Sequence, residues 1–535
     1  MSPPPTAAPA SAGKAIRIAG LIWGGSILAS RLIGLVREAM LGRILGGGNS
    51  ADVFLTAFVL PDYLNYLLAG GALSLVFIPL YSVHLARGDE AGGERAFASV
   101  ANSLLFVLLV ALGALWLATP ALVPLVAPGF SPEQLDQLVR LTRIVLPAQA
   151  FHVIGGLLGA VLQARDKHGL PALAPLVYTS GMVIGGLIGQ SAEGFAWGVV
   201  VGSALGPFLL PLIGAWRAGL RWRLHLDLRS ADLRAYAIRS LPIMLGFSVV
   251  AVDDWILKRQ GSLLADGSIA TLTYAKSLMK VPMGVFGLAA GVAAFPTLAR
   301  LVAGGAPDQA WDTLTRALRM MLVLAFGAQV VLTAAGTDIA ALLYGGRLGP
   351  AQLNDIGVCL AIFGVGLWAW AAQTLVARGY YALGQTWLPT ALGSAVVIFA
   401  LPLYSGLRES LGLYGLPIAT SLAISGYVAA LTLILKRQLG GAPSGLGRFL
   451  PRMALVTALS ALLAGAARWA LIGPLEALPG PAGAALRVLA AAVVGALSYI
   501  GLARLLGVAE ISAVLRMIGA RLPARLRSRL PGLRG

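Results

Sequence analysis

Ten charged side chains interrupt otherwise apolar stretches of this sequence, and their types favour the binding of an anion. They are Arg31, Arg37, Glu38, Asp52, Asp253, Asp254, Lys258, Arg259, Lys276 and Lys280. Within a membrane each would cost about 2.5–3.5 kcal/mol, so such residues face an aqueous cavity or one another. The set has six basic and four acidic members. Because the guanidinium fork of arginine binds two phosphate oxygens at once, this surplus fits an organic anion such as a diphosphate headgroup.

Structural ion pairing is the alternative interpretation for part of this set. Asp254 and Lys258 stand four residues apart, the spacing of a normal pair on one helix face, and Asp253 could pair with Lys280 on the next helix. Lys276 and Lys280 have the same spacing and repel each other unless an anion lies between them. Both interpretations remain open for Asp253, Asp254, Lys258 and Lys280.

The composition places these charges in a membrane protein. The chain has 535 residues, of which 58% are hydrophobic and 12% charged, and its mean hydropathy is +0.83. Soluble domains carry about 25% charged residues, so this composition cannot cover a soluble surface. Each membrane-spanning helix needs about 20 mainly apolar residues. We predict an all-α polytopic protein with about fourteen spans, at residues 18–45, 53–85, 98–126, 138–163, 170–189, 193–215, 241–263, 269–300, 314–343, 353–378, 386–406, 411–435, 450–473 and 483–507.

The positions of the basic residues predict the orientation. Most of the 40 Lys and Arg residues fall at the N-terminus, in alternate loops and in the C-terminal tail, with rich segments at 217–239, 436–452 and 504–534. Under the positive-inside rule both termini are then cytoplasmic. The net charge of +18 thus reflects topology and attraction to anionic membrane lipids, and no nucleic-acid partner is expected.

An internal repeat suggests two lobes of six helices in parallel orientation. The segment at 69–79 aligns with the segment at 286–296, and His168–Pro171 aligns with Thr386–Pro389 at nearly the same offset. Facing lobes with a substrate site between them are a transporter design. The predicted divisions are a disordered tail (1–13), an N-lobe (14–216), a cytoplasmic basic linker (217–240), a C-lobe (241–436), two extra helices (437–508) and a basic tail (509–535).

Several kinds of chemistry are not expected. The sequence contains neither a G-x-x-x-x-G-K-[ST] phosphate loop nor an H-E-x-x-H motif, its four histidines are scattered, and Cys359 is its one cysteine. We therefore expect a transporter and not an enzyme, without metal or other cofactor. Transport would be driven by the membrane potential, by a monovalent cation gradient or by consumption of the substrate.

Several segments resemble the lipid II flippases (MurJ, formerly MviN). The residues that carry the resemblance are Ser30–Ala39, Ala51–Phe54, Phe58–Asp62, Ala127–Phe130, Tyr274–Pro282 with Gly287 and Pro296, and Tyr380–Thr386. The resemblance implies the fold of the multidrug/oligosaccharidyl-lipid/polysaccharide exporter superfamily, with the last two helices forming a lipid-facing groove. It implies that Arg31 and Arg37 line the cavity and that Asp52 is the acidic residue opening helix 2.

The sequence departs from the family pattern at several positions. The family's basic residues midway along helix 2 fall at Asn65 and Tyr66, its nearby glutamate falls at Gly70, and its helix 8 arginine falls at Ser277. Lys276 and Lys280 lie close enough in sequence to compensate for that arginine. Some relatives place a carboxylate in helix 7, so Asp253 and Asp254 are candidates for cation coupling, although the second carboxylate expected near helix 11 appears as Gln385.

The resulting hypothesis is a flippase that moves undecaprenyl-diphosphate-linked peptidoglycan precursor (lipid II) across the bacterial cytoplasmic membrane by alternating access. The diphosphate would be held by Arg31, Arg37, Lys276 and Lys280, with Asp52 and the helix 7 aspartates orienting them. Partners would be the lipid substrate, membrane lipids and other cell-wall synthesis proteins. The alternatives are a paralogous exporter of another lipid-linked oligosaccharide or amphiphile, a membrane-bound glycosyltransferase, and a scaffold recruited through the basic tail.

Overall fold

The computed structural model describes residues 33–69, 73–224, 227–385, 387–440, 445–475, 478 and 481–521. These residues form helices joined by turns and short loops, which confirms the predicted all-α class. Arg31, the predicted tail 1–13 and the last part of the basic tail, 522–535, lie outside the described residues. The chain divides into two compact units, Met1–Leu263 and Leu264–Gly535.

The first unit contains eleven helices in the described residues, with two short π-helical segments, Leu73–Phe77 and Ala204–Leu209, between them. The helices are α1 (33–45), α2 (Asn49–Thr56), α3 (Val59–Ala69), α4 (Ile78–Ala86), α5 (Glu90–Val126), α6 (Pro132–Val145), α7 (Ala148–Ala164), α8 (Gly169–Gly189), α9 (Ala192–Ser203), α10 (Leu210–Arg217) and α11 (Ala231–Ser262).

The second unit contains ten helices in the same described part of the chain and a 3₁₀ turn at Gly412–Tyr414. The helices are α12 (Ser268–Ala303), α13 (Pro307–Tyr344), α14 (Pro350–Val365), α15 (Leu367–Ala382), α16 (Trp387–Leu411), α17 (Gly415–Leu439), α18 (Leu446–Ala470), α19 (Ile472–Leu475), α20 (Pro481–Leu505) and α21 (Ala509–Arg521).

Many of these helices have the length and apolar character of membrane spans. Among the described residues, eight helical segments meet both criteria, and α14 with α15, bent by 42° at their junction, would make a ninth. Large apolar side chains such as Phe106, Leu109 and Leu117 are exposed along α5, as expected for a surface in contact with lipid. The structure is therefore that of a multi-pass membrane protein, while the count of fourteen spans stays a prediction.

The predicted cytoplasmic linker is partly structured. Trp222 Nε1 donates to Asn102 Oδ1 of α5 at 2.8 Å, and Asn102 Nδ2 donates to the Arg223 carbonyl at 2.8 Å. Helix α11 begins at Ala231, earlier than the apolar run predicts, because the Ser230 side chain caps it by accepting from the Leu233 amide. The hydrophobic pattern alone does not predict this polar first turn of α11.

Helices α8 and α9 approach each other closely along facing glycines. Gly181, Gly185 and Gly189 of α8 lie against Gly194 and Gly198 of α9, so that a Cβ on Gly185 would lie 2.4 Å from the Gly194 carbonyl oxygen. Glycines at four-residue spacing permit such backbone contact between helices in a membrane, where van der Waals packing is a main source of association. The pairing of α8 with α9 therefore depends on these positions.

We expect Gly185→Ala to lower the free energy of unfolding by about 1–3 kcal/mol, because the added methyl group meets backbone atoms that cannot move aside. Thermal unfolding of the purified protein in detergent measures the change. Gly113→Ala in α5 is the matched control, since a Cβ there has nothing within 4 Å and alanine is the better helix former. Equal unfolding temperatures for the two variants would refute the close approach.

Helices α18 and α20 are attached to α13 by polar contacts inside the second unit. The Tyr499 hydroxyl of α20 donates to the Val323 carbonyl of α13 at 2.6 Å. The carboxylate of Asp338, on α13 and only 2% exposed, accepts from Arg468 of α18 and from Arg487 of α20, the latter at 2.8 Å from Nε to Oδ1. One buried carboxylate thus joins three helices.

Candidate functional site

Arg37 is the one predicted helix 1 arginine within the described residues. It is half-buried on α1 and forms an ion pair with the adjacent carboxylate of Glu38, which is buried. The Tyr178 hydroxyl of α8 lies within Coulombic range of Arg37. An anion approaching Arg37 therefore competes with a neighbouring carboxylate for the guanidinium.

Asp52 is a buried acid at the start of a helix. It lies in the first turn of α2, is 2% exposed, and its backbone carbonyl accepts from the Thr56 hydroxyl at 2.7 Å. Helix N-termini carry partial positive charge, so this position stabilises the ionised carboxylate. The structure therefore places a buried carboxylate at a helix N-terminus.

A second acidic residue of helix 2, Asp62, belongs to the same polar region and was not among the charges singled out from the sequence. It is exposed on α3, and its carboxylate lies within Coulombic range of the hydroxyls of both Tyr66 and Tyr178. Tyr66 is also within Coulombic range of Asp254 on α11, and α3 packs on α11. The structure thus gathers Arg37, Asp62 and Asp254 around two tyrosines, and the four-residue spacing of Asp62 and Tyr66 on one helix face was the available signal.

A neutral amide pair occupies one position where the family pattern has a basic residue. Asn65 Nδ2 on α3 donates to Gln149 Oε1 on α7 at 2.8 Å, and Gln149 is buried. The Asn65 amide donates and the Gln149 amide accepts. The contact between the two side chains is therefore satisfied without the basic residue of the family pattern. Helix 2 consequently presents tyrosine and amide groups here instead of cations.

The four charges of α11 do not share one environment. Asp253, Asp254 and Lys258 are half-buried, and the predicted pairings of these residues stay predictions. Arg259 Nε donates to the Leu125 carbonyl at the end of α5, at 3.2 Å. Arg259 therefore satisfies a backbone carbonyl at the C-terminal end of α5.

In the second unit, the two lysines of α12 differ strongly in exposure. Lys276 is 4% exposed, and its Nζ lies 5.6 Å from the ring centroid of Trp370 on α15. A desolvated cation over an indole ring gains about 2 kcal/mol or more. Lys280, one turn further along the same helix, is exposed. Lys280 is therefore the lysine that an incoming anion can reach, while Lys276 is held against the aromatic ring.

The described residues offer no metal site. They contain no group of three or more His, Cys, Asp or Glu side chains that could hold a metal ion. Cys359, the one cysteine of the chain, is buried on α14. The candidate site is therefore built from arginine, lysine, carboxylate and tyrosine groups.

Comparisons with known proteins agree with the resemblance seen in the sequence. The family model described as "Lipid II flippase MurJ" matches residues 41–473. A probable lipid II flippase MurJ of Rhizobium meliloti (strain 1021) is 29% identical over 423 residues, covering 77% of this chain and 78% of the relative. One of Bdellovibrio bacteriovorus is 27% identical over 523 residues, covering 94% and 97%.

Solved structures support the same fold. A lipid II flippase MurJ in an inward closed conformation superposes with a TM-score of 0.74 at 19% identity, covering 91% of this chain and 99% of that one. An inward-facing multidrug resistance MATE family transporter of the MOP superfamily gives a TM-score of 0.62 at 12% identity, covering 77% and 94%. The fold predicted from the sequence is confirmed, and the chain belongs to the lipid II flippase family, MurJ.

Proposed function

We propose that this protein translocates lipid II from the inner to the outer leaflet of the cytoplasmic membrane by alternating access. The observation that carries the proposal is the family match over residues 41–473, together with charged side chains kept within apolar helices. Such side chains are expensive in a membrane and mark substrate pathways. The protein acts as a transporter and not as an enzyme, and it needs no cofactor.

The diphosphate is held by Arg31, Arg37, Lys276 and Lys280. Arg37 already pairs with Glu38, so the substrate competes with that carboxylate through a group of higher charge that accepts two parallel hydrogen bonds. Exposed Lys280 makes the direct contact from α12, while Lys276 supports it from beside Trp370. Arg37, Lys276 and Lys280 thus have separate roles in recognising the headgroup.

Acidic residues orient the basic ones and couple transport to an energy source. Asp52 orients the arginines from the start of α2. Asp253 and Asp254 bind a monovalent cation or, with Lys258, switch between ion pairs. The membrane potential, negative inside, favours outward movement of an anion by about 2.3 kcal/mol per charge per 100 mV. A diphosphate lipid therefore travels in the direction that the potential assists.

Growth of a conditional strain that lacks its own lipid II flippase tests this proposal. Expression of the protein should restore growth, and its depletion in the native host should cause lipid II to accumulate. The neutral Asn65–Gln149 pair favours one alternative, a paralogous exporter of another lipid-linked oligosaccharide or amphiphile. Accumulation of a different lipid-linked precursor on depletion would establish that alternative and reject lipid II as the substrate.

The proposal places both termini in the cytoplasm and other cell-wall synthesis proteins among the partners. Cys359 is buried, so single cysteines can be introduced without removing it. We expect Arg140→Cys to react with a membrane-impermeant maleimide in intact cells, because Arg140 lies at the outer end of the predicted inward-running span 138–163 and its side chain is 61% exposed. Arg229→Cys, in the predicted cytoplasmic linker, should react only after permeabilisation. The reverse labelling pattern would show that both termini lie outside the cytoplasm.

A further inference from the structure

A cavity of about 320 Å³ lies in the second unit, and none of the predicted substrate-binding residues lines it. Thr333, Gly336 and Thr337 of α13 line one side and the apolar residues Ala361 and Ile362 of α14 line another. Arg468 of α18 completes the lining. The cavity therefore combines one cation and two hydroxyl groups with an apolar wall.

Two backbone features create this hollow. Helix α13 is interrupted at Ala335, where φ is −121° and ψ is 15°, so the helix kinks beside the cavity. Directly after the kink, α13 and α14 meet at Gly336 and Gly357, where a Cβ on Gly357 would lie 2.4 Å from Thr337 Oγ1. The kink and the glycine contact together hold the cavity open beside two tightly packed helices.

Among the described residues, the neighbouring ion cluster has one cation in excess. Asp338 carries one negative charge and accepts from two arginines, Arg468 and Arg487. Arg468 uses its Nε for Asp338, and its two Nη groups make no hydrogen bond within the described part of the chain. A guanidinium with two free donors, at the edge of a cavity, is suited to bidentate recognition of a phosphate group.

The position along the helices matches the headgroup region of a membrane. Asp338 lies six residues before the end of α13 at Tyr344, and Arg468 lies two residues before the end of α18 at Ala470. At 1.5 Å per residue, Asp338 is about 9 Å from its helix end. The apolar wall of α14 continues to exposed Val365, which offers a path for an acyl chain.

We propose that this cavity binds an anionic phospholipid, with its headgroup phosphate on Arg468 and its acyl chain along α14. The lining contains none of the residues proposed to hold the diphosphate, and the proposal does not depend on which lipid-linked precursor the protein carries. In the proposed orientation it faces the outer leaflet. The bound lipid neutralises the excess charge of the Asp338–Arg468–Arg487 cluster and covers the contact of α13 with α14.

Native mass spectrometry of the full-length protein, delipidated in detergent and titrated with phosphatidylglycerol or phosphatidylcholine, tests the proposal. We expect one phosphatidylglycerol to bind about tenfold or more tighter than phosphatidylcholine, because both lipids carry a phosphate but the quaternary ammonium of phosphatidylcholine cancels its negative charge beside the two arginines. Arg468→Gln should abolish that preference. Ala361→Phe fills the cavity without removing any member of the ion cluster, so it should weaken binding in a protein that keeps all three charges.

Arg140→Gln is the matched control, because Arg140 is an exposed arginine paired with Glu193 and lies outside the cavity. It should bind phosphatidylglycerol like the parent protein. Unchanged binding in both Arg468→Gln and Ala361→Phe would overturn the site. Displacement of phosphatidylglycerol by millimolar inorganic phosphate would overturn the lipid assignment, since an ion without an acyl chain would then be sufficient.

Discussion

Arg37→Ala is expected to abolish rescue of a flippase-depleted strain at unchanged protein level. Arg37 stands half-buried on α1, paired with Glu38 and within Coulombic range of Tyr178. Loss of a charge-assisted bond to phosphate costs about 1.5–3 kcal/mol, or about tenfold to a hundredfold in substrate binding. The truncation also removes from buried Glu38 the guanidinium with which it pairs.

Two further variants separate charge from geometry. Arg37→Lys keeps the charge but loses the bidentate fork, so we expect partial rescue. Arg43→Ala removes an exposed arginine near the end of the same helix and should rescue fully. Normal growth with Arg37→Ala, with membrane levels matched by immunoblot, would remove Arg37 from the substrate site. An equal loss of rescue with Arg43→Ala would indicate a general defect of α1.

Asp338→Ala is expected to cause the largest loss of stability. The variant leaves Arg468 and Arg487 close together with no anion between them, in a place where Asp338 is 2% exposed. Removing one partner of a buried ion cluster typically costs about 3–5 kcal/mol. Thermal unfolding in detergent should therefore show a large downward shift, with α18 and α20 the first helices to become accessible to protease.

An exposed ion pair provides the comparison. Glu409→Ala breaks the contact with Arg408, and the Glu409 side chain is 70% exposed. Exposed pairs contribute about 0–1 kcal/mol, so the unfolding temperature should hardly change. If Asp338→Ala and Glu409→Ala unfold at the same temperature, the buried carboxylate does not hold α18 and α20 on α13.

The periodic apolar runs were sufficient to predict most of the helices. The predicted span at 98–126 falls within α5, and the one at 483–507 nearly coincides with α20. The predicted continuous span at 353–378 is in fact two helices, α14 and α15, meeting at Gly366 with a bend of 42°. A hydropathy pattern is unchanged by such a break, because both halves are equally apolar.

The same limit applies to helix 2, predicted as one span at 53–85. Within the described residues, α2 ends at Thr56 before α3 begins at Val59, and a π-helical segment at Leu73–Phe77 leads directly into α4. Segments of π-helix inside α-helices are frequent at functional sites. Their hydrogen-bond register is set by tertiary packing, and no residue spacing in an apolar run predicts it.

For the site, the sequence identified individual charges better than their partners. Asp52 and Lys276 are buried, as residues placed inside apolar helices should be. Arg468 and Arg487 are absent from the charges that the sequence marks as candidates, although they pair with Asp338 from helices more than a hundred residues away. Ion pairs within one helix follow from four-residue spacing, but pairs between distant helices depend on the packing of the chain.

Exposure of lipid II in the outer leaflet, measured with a membrane-impermeant probe after rapid depletion of this protein, is the decisive test of the proposed function. We predict that outer-leaflet exposure collapses while total lipid II rises, and that re-expression of the parent protein, but not of Arg37→Ala, reverses both changes. Unchanged exposure at full depletion would contradict the proposal that this protein translocates lipid II.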